Sequence, residues 1–246
     1  FVIPDARKLH IPEAVLSLAD INNGLVLVTG PAGSGKSTTL ACIVDRINEK
    51  YEDHIITIED PIEFVHEHKK SIVSQREINS DTDSYMTALR ASLRQAPDVV
   101  MLGEMRDYDT IQTALTASET GHLVLSSLHT VGAANTIDRI VDVFPAAQQQ
   151  QVRVQLSMVL RAVISQQLVP TKDGELIPVF EVMKVNPAIS NLIRESKGHQ
   201  IDNIMYSHQE EGMMTMDNSL FRLYQQDVIT RQTALEFATS PQLLAK

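Results

Sequence analysis

The chain of 246 residues is short of cysteine, of basic charge and of long apolar runs. Its single thiol, Cys42, excludes an intramolecular disulfide framework and any zinc site built from several thiolates, and a reducing compartment is the simple reading. Nowhere does it gather the roughly 18 consecutive apolar residues of a membrane span. The opening Phe1-Val2-Ile3-Pro4-Asp5 lacks the basic and apolar segments of a signal peptide. Lys plus Arg number 21 against 31 Asp plus Glu, a formal net charge of −10. That balance argues against a general nucleic-acid coat or a basic membrane-surface binder, while leaving local basic patches open. No internal repeat is visible, and the glutamine run 148–151 is too short to count as low complexity. What is present is 43% apolar and 21% charged, the profile of a soluble, intracellular globular chain with one large domain or two small ones.

Four short apolar runs, Leu25–Val28, Ile55–Ile58, Val99–Leu102 and Leu123–Leu125, are continuous rather than alternating, as strands buried on both faces are. Helical spacing separates them, over Ser37–Lys50, Asp83–Gln95 and Asp107–Glu119, with Gly121 placed as a stop. Strand and helix in alternation predict a parallel α/β sheet. Further on, Val152, Leu156, Val159 and Val163 predict a helix over Gln148–Gln167. A short strand pair is expected at Gln167–Val169 and Ile177–Val182, about the turn Lys172-Asp173-Gly174. Three small helices follow, capped by Asn186 and starting at Thr215 and Thr230. The fold expected is an α/β core with a helical C-terminal appendage.

Gly30-Pro31-Ala32-Gly33-Ser34-Gly35-Lys36-Ser37, followed by Thr38, fits the pattern of a phosphate loop in full and stands between a strand and a helix. Glycines let backbone N–H groups wrap a phosphate, and the helix turns its positive end toward the anion. Lys36 is then placed for the β and γ phosphates of a nucleoside triphosphate, and the Ser37 hydroxyl for Mg²⁺. A dinucleotide fingerprint counted from Gly33 fails, because its last position is Thr38.

Two acidic clusters end buried strands: Glu59-Asp60-Pro61-Ile62-Glu63 and Gly103-Glu104-Met105-Arg106-Asp107. Each alone reads as a solvated turn, whereas two after a phosphate loop favour a metal-assisted hydrolysis site. Glu104 stands, after a glycine, where phosphate-loop enzymes ordinarily carry an Asp. His129 alone reads more readily as a structural histidine. His66 and His68 lie in a Glu- and Lys-rich stretch with no third ligand and read as a solvated face. Arg90 and Arg94, four apart on one helix, read as surface charge, or as cations supplied to a neighbouring subunit's nucleotide.

Taken together, GLVLVTGPAGSGKSTTL at Gly24–Leu40, TIEDPIEFVH at Thr57–His66, ALRASLRQAPD at Ala88–Asp98, GEMRD at Gly103–Asp107, TASETGHLVLSSLHT at Thr116–Thr130 and IDRIVDVFP at Ile137–Pro145 resemble the type IV pilus retraction ATPases, within the type II/IV secretion ATPase superfamily. The resemblance implies a RecA-like P-loop core over 24–185, a helical region over 186–246, and a ring-shaped homohexamer hydrolysing ATP with Mg²⁺ at subunit boundaries. It implies that residues 1–23 are a linker from a PAS-like N-terminal domain, and that the partner is a pilus platform protein at the inner membrane. A cytoplasmic protein peripheral to that membrane follows, with neither nucleic acid nor an integral membrane segment.

Residue by residue, the resemblance makes Lys36 and Ser37 binders of phosphate and Mg²⁺ and Glu63 the general base. It makes Glu104 an atypical Walker B carboxylate, His129 a histidine-box residue, and Arg90 and Arg94 arginines that approach nucleotide. The text AISNLIRE at Ala188–Glu195 is similar to a retraction signature, with Ser190 in place of an arginine. Pilus-assembly and secretion ATPases often carry a four-cysteine loop that this chain lacks. An assembly or secretion ATPase, or a hydrolysis-poor nucleotide-dependent interaction module, remains the alternative.

Overall fold

The computed structural model describes residues 2–241; Phe1, in the expected linker, and residues 242–246, in the expected helical region, lie outside the described residues. Seven strands form one sheet: β1 (Gly24–Thr29), β2 (His54–Glu59), β3 (Ile72–Glu77), β4 (Val99–Leu102), β5 (Leu123–Leu128), β6 (Leu160–Pro170) and β7 (Leu176–Lys184). Their order is β3-β2-β4-β5-β1-β6-β7, with every neighbouring pair parallel except the β6–β7 hairpin. The four expected apolar runs are β1, β2, β4 and β5, at the centre of the sheet. Among the described residues, ten α-helices accompany them: α1 (Glu13–Leu16), α2 (Lys36–Lys50), α3 (Tyr85–Ser92), α4 (Tyr108–Glu119), α5 (Ala133–Asp142), α6 (Ala146–Val159), α7 (Pro187–Arg194), α8 (Ile201–Ser207), α9 (Met216–Gln225) and α10 (Arg231–Phe237).

Alternation along the central strands divides the core in two. Leu25, Leu27, Ile56, Ile58, Val100 and Leu102 pack with α3 to α8 on one face. Val26, Val28, Ile55, Val99, Met101 and Leu125 pack with α1 and α2 on the other. A third, smaller cluster of Val169, Val179, Met216, Leu220, Ile229 and Ala234 seats α9 and α10 against the β6–β7 hairpin. Among the described residues no helix is long and apolar enough to cross a membrane.

The expected helix over Gln148–Gln167 needs correction. The chain is helical only to Val159; Leu160 turns to extended backbone (ψ 125°) and begins β6. The stretch Leu160–Ile164 is apolar enough to be read as either, and pairing with β1 on one side and β7 on the other decides for strand. β3 is an addition that the sequence pattern does not announce. It is an edge strand of mixed polarity, with Ile72 exposed and Val73 buried, so it carries no continuous apolar run. α5 and α8 are likewise additions. The helix expected over Asp83–Gln95 is α-helical to Ser92 and closes in a tighter turn over Leu93–Gln95. The caps of the C-terminal helices lie as expected: Asn186 accepts from Ile189 N, Thr215 from Asn218 N and Thr230 from Thr233 N.

Candidate active site

Because β1, β2, β4 and β5 are parallel, their carboxyl ends share one edge of the sheet, the edge where open α/β sheets bind ligands. The phosphate loop leaves β1 there, the acidic turn 60–63 leaves β2, Gly103-Glu104 leaves β4 and His129 leaves β5. A cleft of about 430 Å³ lies between them, lined by Lys36, Ser37, Glu63, Glu104, Arg106 and His129 among others.

The loop needs its glycines for backbone reasons. Gly33 (φ +76°) and Gly35 (φ +88°) adopt left-handed conformations, and Gly35 caps α2. The Lys36 ammonium is buried and donates to the carbonyls of Gly30 (2.9 Å) and Pro31 (2.8 Å). Burial pulls its pKa below the usual lysine value, opposed by the charges of Glu104 and Glu63. A buried cation at a helix N-terminus, beside a glycine-rich loop, suits a polyanion.

Ser37 Oγ donates to Glu63 Oε1 at 2.8 Å, joining the loop after β1 to the turn after β2. That turn begins with a cis Asp60–Pro61 peptide, and Glu77 of β3 accepts from Ile62 N at 2.9 Å. At the end of β2, the buried Glu59 accepts from Thr57 Oγ1 (2.7 Å) and Gln75 Nε2 (3.2 Å), and burial raises its pKa. Across the cleft, Glu104 Oε2 lies 2.6 Å from Arg106 Nε and 3.3 Å from His129 Nε2. Gly103 is a glycine of close approach, since a Cβ there would lie 2.9 Å from the Tyr85 hydroxyl. Ser127 Oγ donates to its carbonyl at 2.6 Å, which pins β4 to β5 at the start of the Glu104 turn.

The structure thus gathers Ala32, Gly33, Gly35, Lys36, Ser37, Thr38, Glu63, Glu104 and His129 into one cleft; Gly30, Pro31 and Ser34 of the loop do not line it, and Arg90 and Arg94 lie outside it. Arg90, in the last turn of α3, and Arg94, in the turn after it, are exposed and do not line the cleft of their own chain. Arg106 does line it, and its pairing with Glu104 was not foreseen. The only advance signal was its place two residues after Glu104.

His66 and His68 are not a shared solvated face. His68 is exposed, and its Nδ1 accepts from Val73 N, but His66 is buried at the cleft wall, and burial lowers its pKa. Hydrophilic neighbours in the sequence hid this, because Lys69 turns instead to Asp45 and Glu49 on α2. Gln166 of β6, which holds the back of the phosphate loop, was also missed (Nε2 to Ser34 O, 2.7 Å). Among the described residues no group of three or more His, Cys, Asp or Glu side chains is arranged to hold a metal ion.

Comparison with known proteins identifies the family. The profile of the family described as type II/IV secretion system protein matches residues 11–176. A twitching motility protein of Neisseria gonorrhoeae is 52% identical over 93% of the chain, which spans 61% of that protein. A type IV pilus retractation ATPase, PilT, of Pseudomonas aeruginosa is 50% identical over 96% of the chain, which spans 69% of it. The crystal structure of a pilus retraction motor PilT with bound ADP superposes with a TM-score of 0.93 at 51% identity, over 99% of this chain and 69% of that one.

Proposed function

The chain belongs to the type II/IV secretion system protein family, and on that premise we propose that it is the ATPase part of a type IV pilus retraction motor. The observation that carries the reading is the Ser37–Glu63 hydrogen bond across the mouth of a complete phosphate loop. On this reading the Glu63 carboxylate stands beside the terminal phosphoryl group of a loop-bound nucleotide.

In this reading, the amides of Gly33 and Gly35, with the Lys36 ammonium, bind the phosphates; Ser34, whose N–H donates to the Pro31 carbonyl, braces the turn, Gly30, Pro31 and Ala32 form the loop's approach, and Thr38 its exit into α2. Glu63 orients the attacking water and accepts its proton as the bond to the transferring phosphoryl group forms and that to the ADP oxygen breaks. The Ser37 hydroxyl and Glu104 carboxylate are hard oxygen donors of the kind Mg²⁺ takes, and would hold it alongside the phosphates. The ion neutralises phosphate charge when bound. His129, 3.3 Å from Glu104, helps to orient that carboxylate.

Arg90 and Arg94, exposed away from their own cleft, act on a neighbour's nucleotide in a homohexamer. The motor works at the cytoplasmic side of the inner membrane on a pilus platform protein; of the expected linker, residues 11–19 are packed into the core, so any linking role falls to the residues before them. The test is Glu63→Gln in the full-length protein. ATP turnover should fall by about 10²-fold or more with ATP binding retained; an unchanged rate would remove Glu63 from the mechanism.

A further inference from the structure

Gln166 lies on β6, one residue past Ser165, the partner of Thr29 at the end of β1 where the phosphate loop begins. It is 3% exposed and does not line the cleft. Its amide nevertheless holds both the later part of the loop and the first turn of the helix that follows it. Nε2 donates to the carbonyl of Ser34 at 2.7 Å, and Oε1 accepts from Thr39 Oγ1, in the first turn of α2, at 2.7 Å. Its main-chain carbonyl lies so close to Gly30 that a Cβ there would overlap it, and a Cβ on Gly35 would come within 2.9 Å of Nε2. The first of these constraints comes from the main chain at 166, and the second, on Gly35, from the Gln166 side chain itself.

We propose that Gln166 is a positioning residue that fixes the phosphate loop in its anion-binding shape; the inference rests on the functional reading above. In a planar trans peptide the C=O and the following N–H point in opposite directions. Gripping the Ser34 carbonyl from behind therefore turns the Gly35 N–H away from Gln166. In that direction the amide is offered to a phosphate rather than lost to an intraprotein bond. An uncharged amide of this length fits both contacts, because it donates to a carbonyl and accepts from a hydroxyl at once. A glutamate would face the Ser34 carbonyl with a second acceptor, and an asparagine falls one methylene short.

The experiment compares Gln166→Ala, Gln166→Met and Ile164→Val in the full-length protein, reading ADP affinity by calorimetry and thermal stability without nucleotide. Ile164 is buried on the same strand but forms no part of the loop contacts, so its variant reports destabilisation of β6 alone. Both Gln166 variants should weaken ADP binding by about tenfold or more, while Ile164→Val lowers the melting temperature with ADP affinity within about twofold of wild type. Methionine keeps the volume and length without the donor, so it remains informative should alanine fail to fold. Wild-type ADP affinity in Gln166→Met, or equal losses in Ile164→Val, would overturn the inference alone. Failure of the wild-type protein to bind ADP would overturn the functional reading with it.

Discussion

Ser165 and Glu181 stand opposite each other on β6 and β7, and both accept hydrogen bonds from the start of α5. Ser165 Oγ accepts from Gly132 N at 2.9 Å and Glu181 Oε1 from Ala133 N at 2.8 Å, while Glu181 Oε2 accepts from Met216 N at the start of α9. One buried carboxylate thus joins the helix that begins just after His129 to the C-terminal helices. Gln166, the next residue along β6, points to the opposite face and holds the phosphate loop.

Glu181 is almost wholly buried, and its pKa is raised from 4.5 to about 7, chiefly by burial, with Asp202 and Asp217 adding to the effect against the two amide donors. A carboxyl group whose folded pKa lies above its unfolded value stabilises the fold fully below the unfolded value. That stability is lost as pH rises through the folded one. Wild-type stability should therefore decline between pH 4.5 and 8 by on the order of 3 kcal/mol relative to Glu181→Gln. Denaturant titrations at pH 5 and pH 8 check this, and parallel pH profiles for the two proteins would refute it.

Arg106 pairs with Glu104 from a side chain that is 72% exposed. An ion pair so open to solvent contributes little, so Arg106→Ala should change unfolding free energy by less than about 1 kcal/mol. Chemical denaturation measures this directly; a larger loss would mean that Arg106 supports the fold and not only the cleft.

Gly33 and Gly35 both have positive φ, but a Cβ on Gly33 meets nothing within 4 Å, whereas one on Gly35 lies 2.9 Å from Gln166 Nε2. Gly33→Ala should incur only the backbone cost of about 1–2 kcal/mol. Gly35→Ala should cost more, because the Gln166 grip must also give way. Thermal melts of the two variants rank them, and equal losses would remove the steric part of the argument.

Much of this was legible in advance because the strongest local signals coincide with the centre of the fold. β1, β2, β4 and β5 are doubly buried and so read as unbroken apolar runs, and the loop after β1 has backbone requirements only glycines meet. The caps Asn186, Thr215 and Thr230 act within four residues and needed no tertiary knowledge. What the pattern could not carry was set by distant partners. β6 is a strand because β1 and β7 flank it, and Gln166 matters through Ser34, 132 residues away. His66 is buried although its sequence neighbours are charged, because those charges are drawn to α2.

The central claim is a nucleotide site completed by a neighbouring copy, and steady-state ATP hydrolysis with Mg²⁺ over a wide range of protein concentration tests it most directly. An arginine supplied across a subunit boundary contributes roughly 10³–10⁵ in rate, so specific activity should climb steeply as chains associate and level off once rings are complete. A measurable rate that stays flat from dilute to concentrated protein would contradict the shared site and the roles given to Arg90 and Arg94.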